Sequence, residues 1–121
     1  MAAPNIVNVA TITAKTKGQA LTTSLVDFLE NAALSGKVFK VNSLIVANID
    51  GVNNVDITVT FVDASGPTTY SLAKTVTVPA DASLIVIDKS TALYLEEGDK
   101  IQIQATAVSD AEAVISYEEI S

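Results

Sequence analysis

The stretch Ser43–Gly66, "SLIVANIDGVNNVDITVTFVDASG", sets two apolar runs on either side of a small polar knot, Asn48-Ile49-Asp50-Gly51-Val52-Asn53-Asn54. Beyond the knot, Ile57, Val59 and Phe61 alternate with Asp56, Thr58 and Thr60, the period of two that a strand with one buried face requires. Before it, Leu44, Ile45 and Val46 are apolar at successive positions, which marks a strand covered on both faces. Asp50-Gly51 and Asn53-Asn54 tolerate positive φ and suit a tight connection between two strands. Asp50, Asn53, Asn54 and Asp56 also offer oxygens to a calcium ion, but they lack the fixed odd positions and distal bidentate glutamate of an EF-hand loop. The knot therefore reads as a turn.

Working outward from it, strands are expected at Ile6–Ala14, Ala20–Leu29, Val38–Asn48, Val55–Asp63, Thr68–Val78, Leu84–Ile87, Ile101–Ala107 and Glu112–Glu119, with a short extended piece at Leu93–Leu95. Ser65-Gly66-Pro67, Pro79-Ala80-Asp81 and Glu97-Gly98-Asp99 punctuate them. In "LVDFLENAALSG" the residues Leu25, Phe28, Leu29 and Ala32 also have helical spacing, so a helical turn ended by Ser35-Gly36 competes with the strand there. The sum is an all-β fold, a β-sandwich of about eight strands, with a jelly roll as one arrangement of them. A length of 121 residues suits one domain. The expected division is an N-terminal arm, residues 1–5, in which Pro4 discourages regular pairing, and one β-sandwich domain, residues 6–121.

Composition excludes more than it assigns. The chain has no cysteine and no histidine, which removes disulfides, thiolate nucleophiles, Ser-His-Asp machinery and the commonest transition-metal ligands. No catalytic, cofactor-binding or metal-binding residue is assigned, and no enzyme activity or cofactor is expected. The net charge is −7 and all seven basic residues are lysines, so neither a phosphate-tracking face nor bidentate arginine recognition is available and nucleic acid is not an expected partner. No apolar run approaches the roughly 20 residues that span a bilayer. The start, "MAAPNIVNVA", lacks the basic and long apolar regions of a signal peptide, so neither a membrane nor export by that route is expected. Glu96, Glu97 and Asp99 around Gly98, and Glu118-Glu119 near the end, read as solvated acids at a turn and at a strand end. Phe28, Phe39 and Phe61 read as core, and Tyr70, Tyr94 and Tyr117 as rim residues with wet hydroxyls.

One property exceeds what a small soluble module needs. Hydrophobic residues make up 49% of the chain and charged ones only 17%, against about a quarter charged in ordinary domains. The runs Leu44-Ile45-Val46 and Leu84-Ile85-Val86-Ile87 offer apolar groups to both faces of a strand. A single sandwich hides only the inward set, so a contact with further copies or a partner is expected to cover the rest. The expected interface residues are Pro4 in the arm, Ile6 and Val7 directly after it, Leu44, Val46, Leu84 and Val86 in the doubly apolar strands, and Tyr70 and Tyr94 at the rim.

The stretches "VANIDG" (Val46–Gly51), "VPADASLIVIDK" (Val78–Lys89), "YLEEGD" (Tyr94–Asp99) and the "SYEE" ending (Ser116–Glu119) resemble the small virion structural proteins of tailed bacteriophages, especially those of cyanobacteria and other marine bacteria. The resemblance covers about Gly36–Ser121. It implies a non-enzymatic building block, above all a capsid decoration (cement) protein on the outer face of the major capsid protein lattice. It also implies a homo-oligomer, trimer or dimer, made in the host cytoplasm and resident in the virion. Two rivals stand beside it: a neck, tail or baseplate adaptor or collar, and a receptor- or glycan-binding fibre module. The absence of tryptophan counts against the last.

Overall fold

The computed structural model describes residues 10–121. These residues form strands β1 (Ile12–Ala20), β2 (Val26–Glu30), β3 (Val38–Asn48), β4 (Val55–Asp63), β5 (Thr68–Val78), β6 (Ser83–Ile87), β7 (Leu93–Leu95), β8 (Lys100–Ala105) and β9 (Ala111–Ile120). A single 3-10 turn at Lys89–Thr91, capped by the Asp88 carboxylate, separates β6 from β7. The first sheet runs β1-β9-β3-β6, with β7 also on β3, and the second runs β2-β8-β4-β5. Every ladder is antiparallel.

Both β6 and β7 lie along the same edge of β3, against Leu44–Ala47 and Phe39–Val41 respectively. Taken as one interrupted strand, they leave four strand positions in each sheet. The chain crosses to the other sheet after every strand except at the β4–β5 hairpin and the β6–β7 interruption. That order of strands is the jelly roll, in which nested Greek keys wrap two sheets around one core.

The core follows from alternation. Ile101, Ile103 and Ala105 of β8 are buried while Lys100, Gln102 and Gln104 are not, and Val55, Ile57 and Val59 repeat the pattern in β4. In β3 the phase is reset by a bulge, because the register against β9 shifts between Val41 and Ser43. Phe39, Val41, Leu44 and Val46 can therefore all enter the core despite their uneven spacing. A second bulge, between Asp27 and Leu29, lets neighbouring Phe28 and Leu29 both be buried. Their spacing looked helical in the sequence for that reason.

The strands from β3 onward agree with the sequence expectation to within a residue or two, but the start of the chain does not. The expected strand at Ile6–Ala14 is replaced, within the described residues, by β1 at Ile12–Ala20. Almost all of β1 is exposed, so it has no apolar alternation to betray it. The expected strand at Ala20–Leu29 shrinks to Val26–Glu30, because Leu21–Leu25 forms the crossing between sheets. There Thr22 Oγ1 accepts a hydrogen bond from the Ser24 amide, a local turn that competes with pairing. The expected arm, residues 1–5, lies outside the described residues.

Two buried asparagines fasten the two ends of the sandwich. At the end holding the β3–β4 and β5–β6 connections, Asn48 is 2% exposed; its Nδ2 donates to the carbonyls of Asn53 (2.9 Å) and Val78 (3.0 Å), and its Oδ1 accepts from the Asp50 amide (2.9 Å). At the opposite end Asn31 Nδ2 donates to the carbonyls of Lys37 and Leu95, and its Oδ1 accepts from Ser35 Oγ. Each side chain thus satisfies three backbone or side-chain groups, one of them fully buried (the carbonyl of Val78 for Asn48 and of Leu95 for Asn31). Asn48→Ala is expected to cost about 3 kcal/mol, the penalty of orphaning such groups. Urea denaturation should show the midpoint falling with the m-value unchanged.

Candidate interaction face

The outward side of the first sheet gathers part of the apolar surplus into one contiguous row, while Val52, Leu34 and Val108 expose more of it in the loops. Since Leu44 and Val46 point into the core, Ile45 and Ala47 point away from it. Register carries this phase across the sheet: Ile45 pairs with Val114 of β9 and with Ile85 of β6, and Val114 pairs with Gly18 of β1. Gly18, Val114, Ile45 and Ile85 thus form one row across four strands. The three β-branched side chains in it are exposed by 45%, 39% and 62% in that order. Parallel rows flank it. One is Ala20, Glu112, Ala47 and Ser83; another is Thr16, Ser116 and Ser43; a third is Ala14, Glu118, Lys40 and Tyr94.

The β1 side of this face is low. The two lysines of β1 lie in the other phase, opposite the buried Tyr117 and Ile115, so that beyond the exposed Ile12 at its start the strand turns only Ala14, Thr16, Gly18 and Ala20 outward. Lys17 donates to the Phe28 carbonyl and sits 5.5 Å over the Phe28 ring, closing the side of the sandwich between β1 and β2. With no side chain at Gly18, a shallow open groove remains over β1 and β9 beside Val114 and Glu112. The β6–β7 side is high, carrying Ile85 and Tyr94. The outer side of the second sheet is of another kind: Asp27, Gln102, Gln104, Thr58 and Asp56 cross-link through side-chain hydrogen bonds to neighbouring strands and the Thr23 carbonyl.

Of the expected interface residues, Leu44 and Val46 belong to the core and are 0% exposed, so they are corrected as surface contacts: the phase set by the β3 bulge turns Ile45 outward in their place. Leu84 and Val86 are half-buried against the core, and Ile85 between them is the outward residue. Tyr94 stands on the face described above, whereas Tyr70 is on β5, the edge of the second sheet, opposite Phe61. Pro4, Ile6 and Val7 lie outside the described residues. Tyr117 is a core residue rather than a rim one, packed against Phe39 with ring centroids 5.4 Å apart.

The acidic candidates resolve into structural roles. Asp50 Oδ1 accepts from the amides of Val52 and Asn53, and these backbone bonds, with the Asn53 side chain, hold its carboxyl below the usual range. The polar knot is a turn closed by its own aspartate. Asp99, expected to be solvated, is 3% exposed; its oxygens accept from the amides of Ala64 and Glu96 and so join two neighbouring turns. Glu97 accepts from the Gly36 amide. Among the described residues no three acidic side chains converge on a point where they could hold a metal ion.

Glu119 is also no free strand end, since it pairs with Lys15 and Lys37 at 3.1 Å each. Burial pushes its carboxyl up, but the hydrogen bonds and charges of Lys37 and Lys15 outweigh that and leave it below its ordinary 4.5. A carboxylate depressed on folding adds stability above its unfolded value and loses it as pH falls through the folded one. Glu119→Gln should therefore lower Tm at pH 7, by an amount corresponding to under about 1 kcal/mol because both lysines are well exposed. The difference should vanish once the pH is well below 4.5, which thermal melts across that range would reveal.

No protein-family model matches the sequence, and no curated protein matches it. Among solved structures the chain is similar to a subunit of the Bacillus endospore appendages, described as a novel family of disulfide-linked pili, with a TM-score of 0.53 at 14% identity over 92% of this chain and 87% of that one. Two structures of a pentameric capsid protein isolated from metagenomic phage sequences overlap it at a TM-score of 0.39 and 15% identity, over 87% of this chain and 64% and 60% of theirs. The first likeness is one of fold. The other two are too slight to bear on role.

Proposed function

We propose that this chain is a non-enzymatic virion structural protein, and specifically a capsid decoration protein that binds the outer surface of the major capsid protein lattice. The observation that carries this reading is the exposed apolar row Val114, Ile45 and Ile85 on a rigid sheet. Such a row is costly to leave in water and suits permanent contact. It stands on a chain whose stretches from Gly36 onward resemble phage virion proteins.

The surface chemistry fits that role. The loops at one end of the sandwich carry Asp50, Asp81 and Asp110 and no lysine, so copies crowded on a shell repel one another at these tips and stay soluble. Attachment through several weak contacts per oligomer gives strong retention. Residues 1–5 act as the arm that reaches a neighbour. Other virion proteins are secondary partners.

Quantitative mass spectrometry of purified particles tests the reading. A decoration protein is present on the order of hundreds of copies, following the lattice symmetry, whereas a neck or tail component numbers about a dozen. The low number would move the protein to the neck, and its absence from particles would overturn the proposal. Deleting residues 1–5 should lower occupancy on the shell.

A further inference from the structure

We propose that the outer face of the first sheet binds the same face of a second copy, about a two-fold axis running along the strands between β3 and β9. This deepens the homo-oligomer part of the reading above, yet it needs no particle and is tested on the isolated chain. An isologous contact requires a patch complementary to itself, and the order of side chains across the four strands meets that condition. The axis exchanges β9 with β3 and β1 with the β6–β7 edge.

Each row then faces its own reversal. In the row Ala14, Glu118, Lys40 and Tyr94, Glu118 of one copy meets Lys40 of the second, and Tyr94 lies over Ala14. In the row Gly18, Val114, Ile45 and Ile85, Val114 meets Ile45, and the 62%-exposed Ile85 enters the groove that Gly18 leaves open. High side chains thus stand opposite low ones, Glu118 and Lys40 stand opposite their counterions, and Glu112 lies over Ala47 of the second copy at the rim of the groove. A glycine at the groove is not demanded by the fold, since a Cβ at position 18 would meet nothing closer than 3.8 Å. Packed sheets align at about −30°, which keeps the rows nearest the axis in register.

Charge variants separate contact between copies from contact within one copy. Lys40→Glu leaves only carboxylates along the seam, and Glu118→Lys sets ammonium groups opposite one another in the row that holds Lys40, with Glu112 still present in a flanking row. Each variant alone should sediment as a monomer at concentrations where the native chain is a dimer, its dissociation constant raised about tenfold or more. An equimolar mixture should restore dimers containing one copy of each, as read by native mass spectrometry. Gly18→Leu, whose Cβ has ordinary van der Waals room within its own copy, should fill the groove and weaken the dimer similarly while circular dichroism stays native. A native chain that is monomeric or forms another oligomer, a dimer indifferent to Lys40→Glu and Gly18→Leu, or a mixture that stays monomeric overturns the proposal. None of these results would bear on whether the protein belongs to a virion.

Discussion

Strand β3 is the constraint on which the rest depends. It lies between β9 on one side and β6 with β7 on the other, and its inward residues Phe39, Val41, Leu44 and Val46 form the middle of the core. A strand has only two faces, so fixing one fixes the other. Once the bulge after Val41 has turned Leu44 inward, Ile45 must point out. The register then brings Val114 and Ile85 beside it, and the outer apolar row exists because the core does. A slip of one residue would exchange the two faces and bury Ser43 and Ile45 in place of Leu44 and Val46.

The ends of the sandwich show the same economy with polar groups. Jelly-roll crossings leave many backbone groups outside any ladder, and several of these are buried. Asn31, Asn48 and Asp99 meet them with short side chains that offer several donors or acceptors at once. Gly98 completes the arrangement: its φ is +89°, and a Cβ there would lie 2.9 Å from that of Ala64. Turns from different parts of the sequence are thereby held as one surface, and the sheets between them are kept from shearing.

Acidity and apolarity divide the labour of the surface. The second sheet faces water with threonine, glutamine and aspartate on β2, β4 and β8, with Tyr70 and Leu72 exposed on its edge strand β5, and the loop tips near Asn48 carry aspartates. The first sheet faces out with a row of valine and isoleucine flanked by small residues, Tyr94 and the charges Glu112, Glu118 and Lys40. The two outer faces thus differ in how much apolar surface they offer to water.

Strands from Val38 onward were legible in the sequence because their alternation reports burial directly, and the missing histidine and cysteine closed off whole classes of chemistry without any structure. The turn character of Asp50–Asn54 could be read for the same local reason. The sequence could not reveal β1, which buries almost nothing and so carries no pattern. Nor could it tell which of Leu44 and Ile45, or of Leu84 and Ile85, faces out, because both phases are apolar and only the register shifts of β3 against β9 and of β6 against β3 decide between them. The burial of Asp99 depended on a turn 35 residues away. Local pattern, then, determined where the strands are and that apolar surface is in excess, since both follow from side-chain types at short range. Tertiary structure alone decided which residues carry that excess, since that depends on register between strands far apart in the chain.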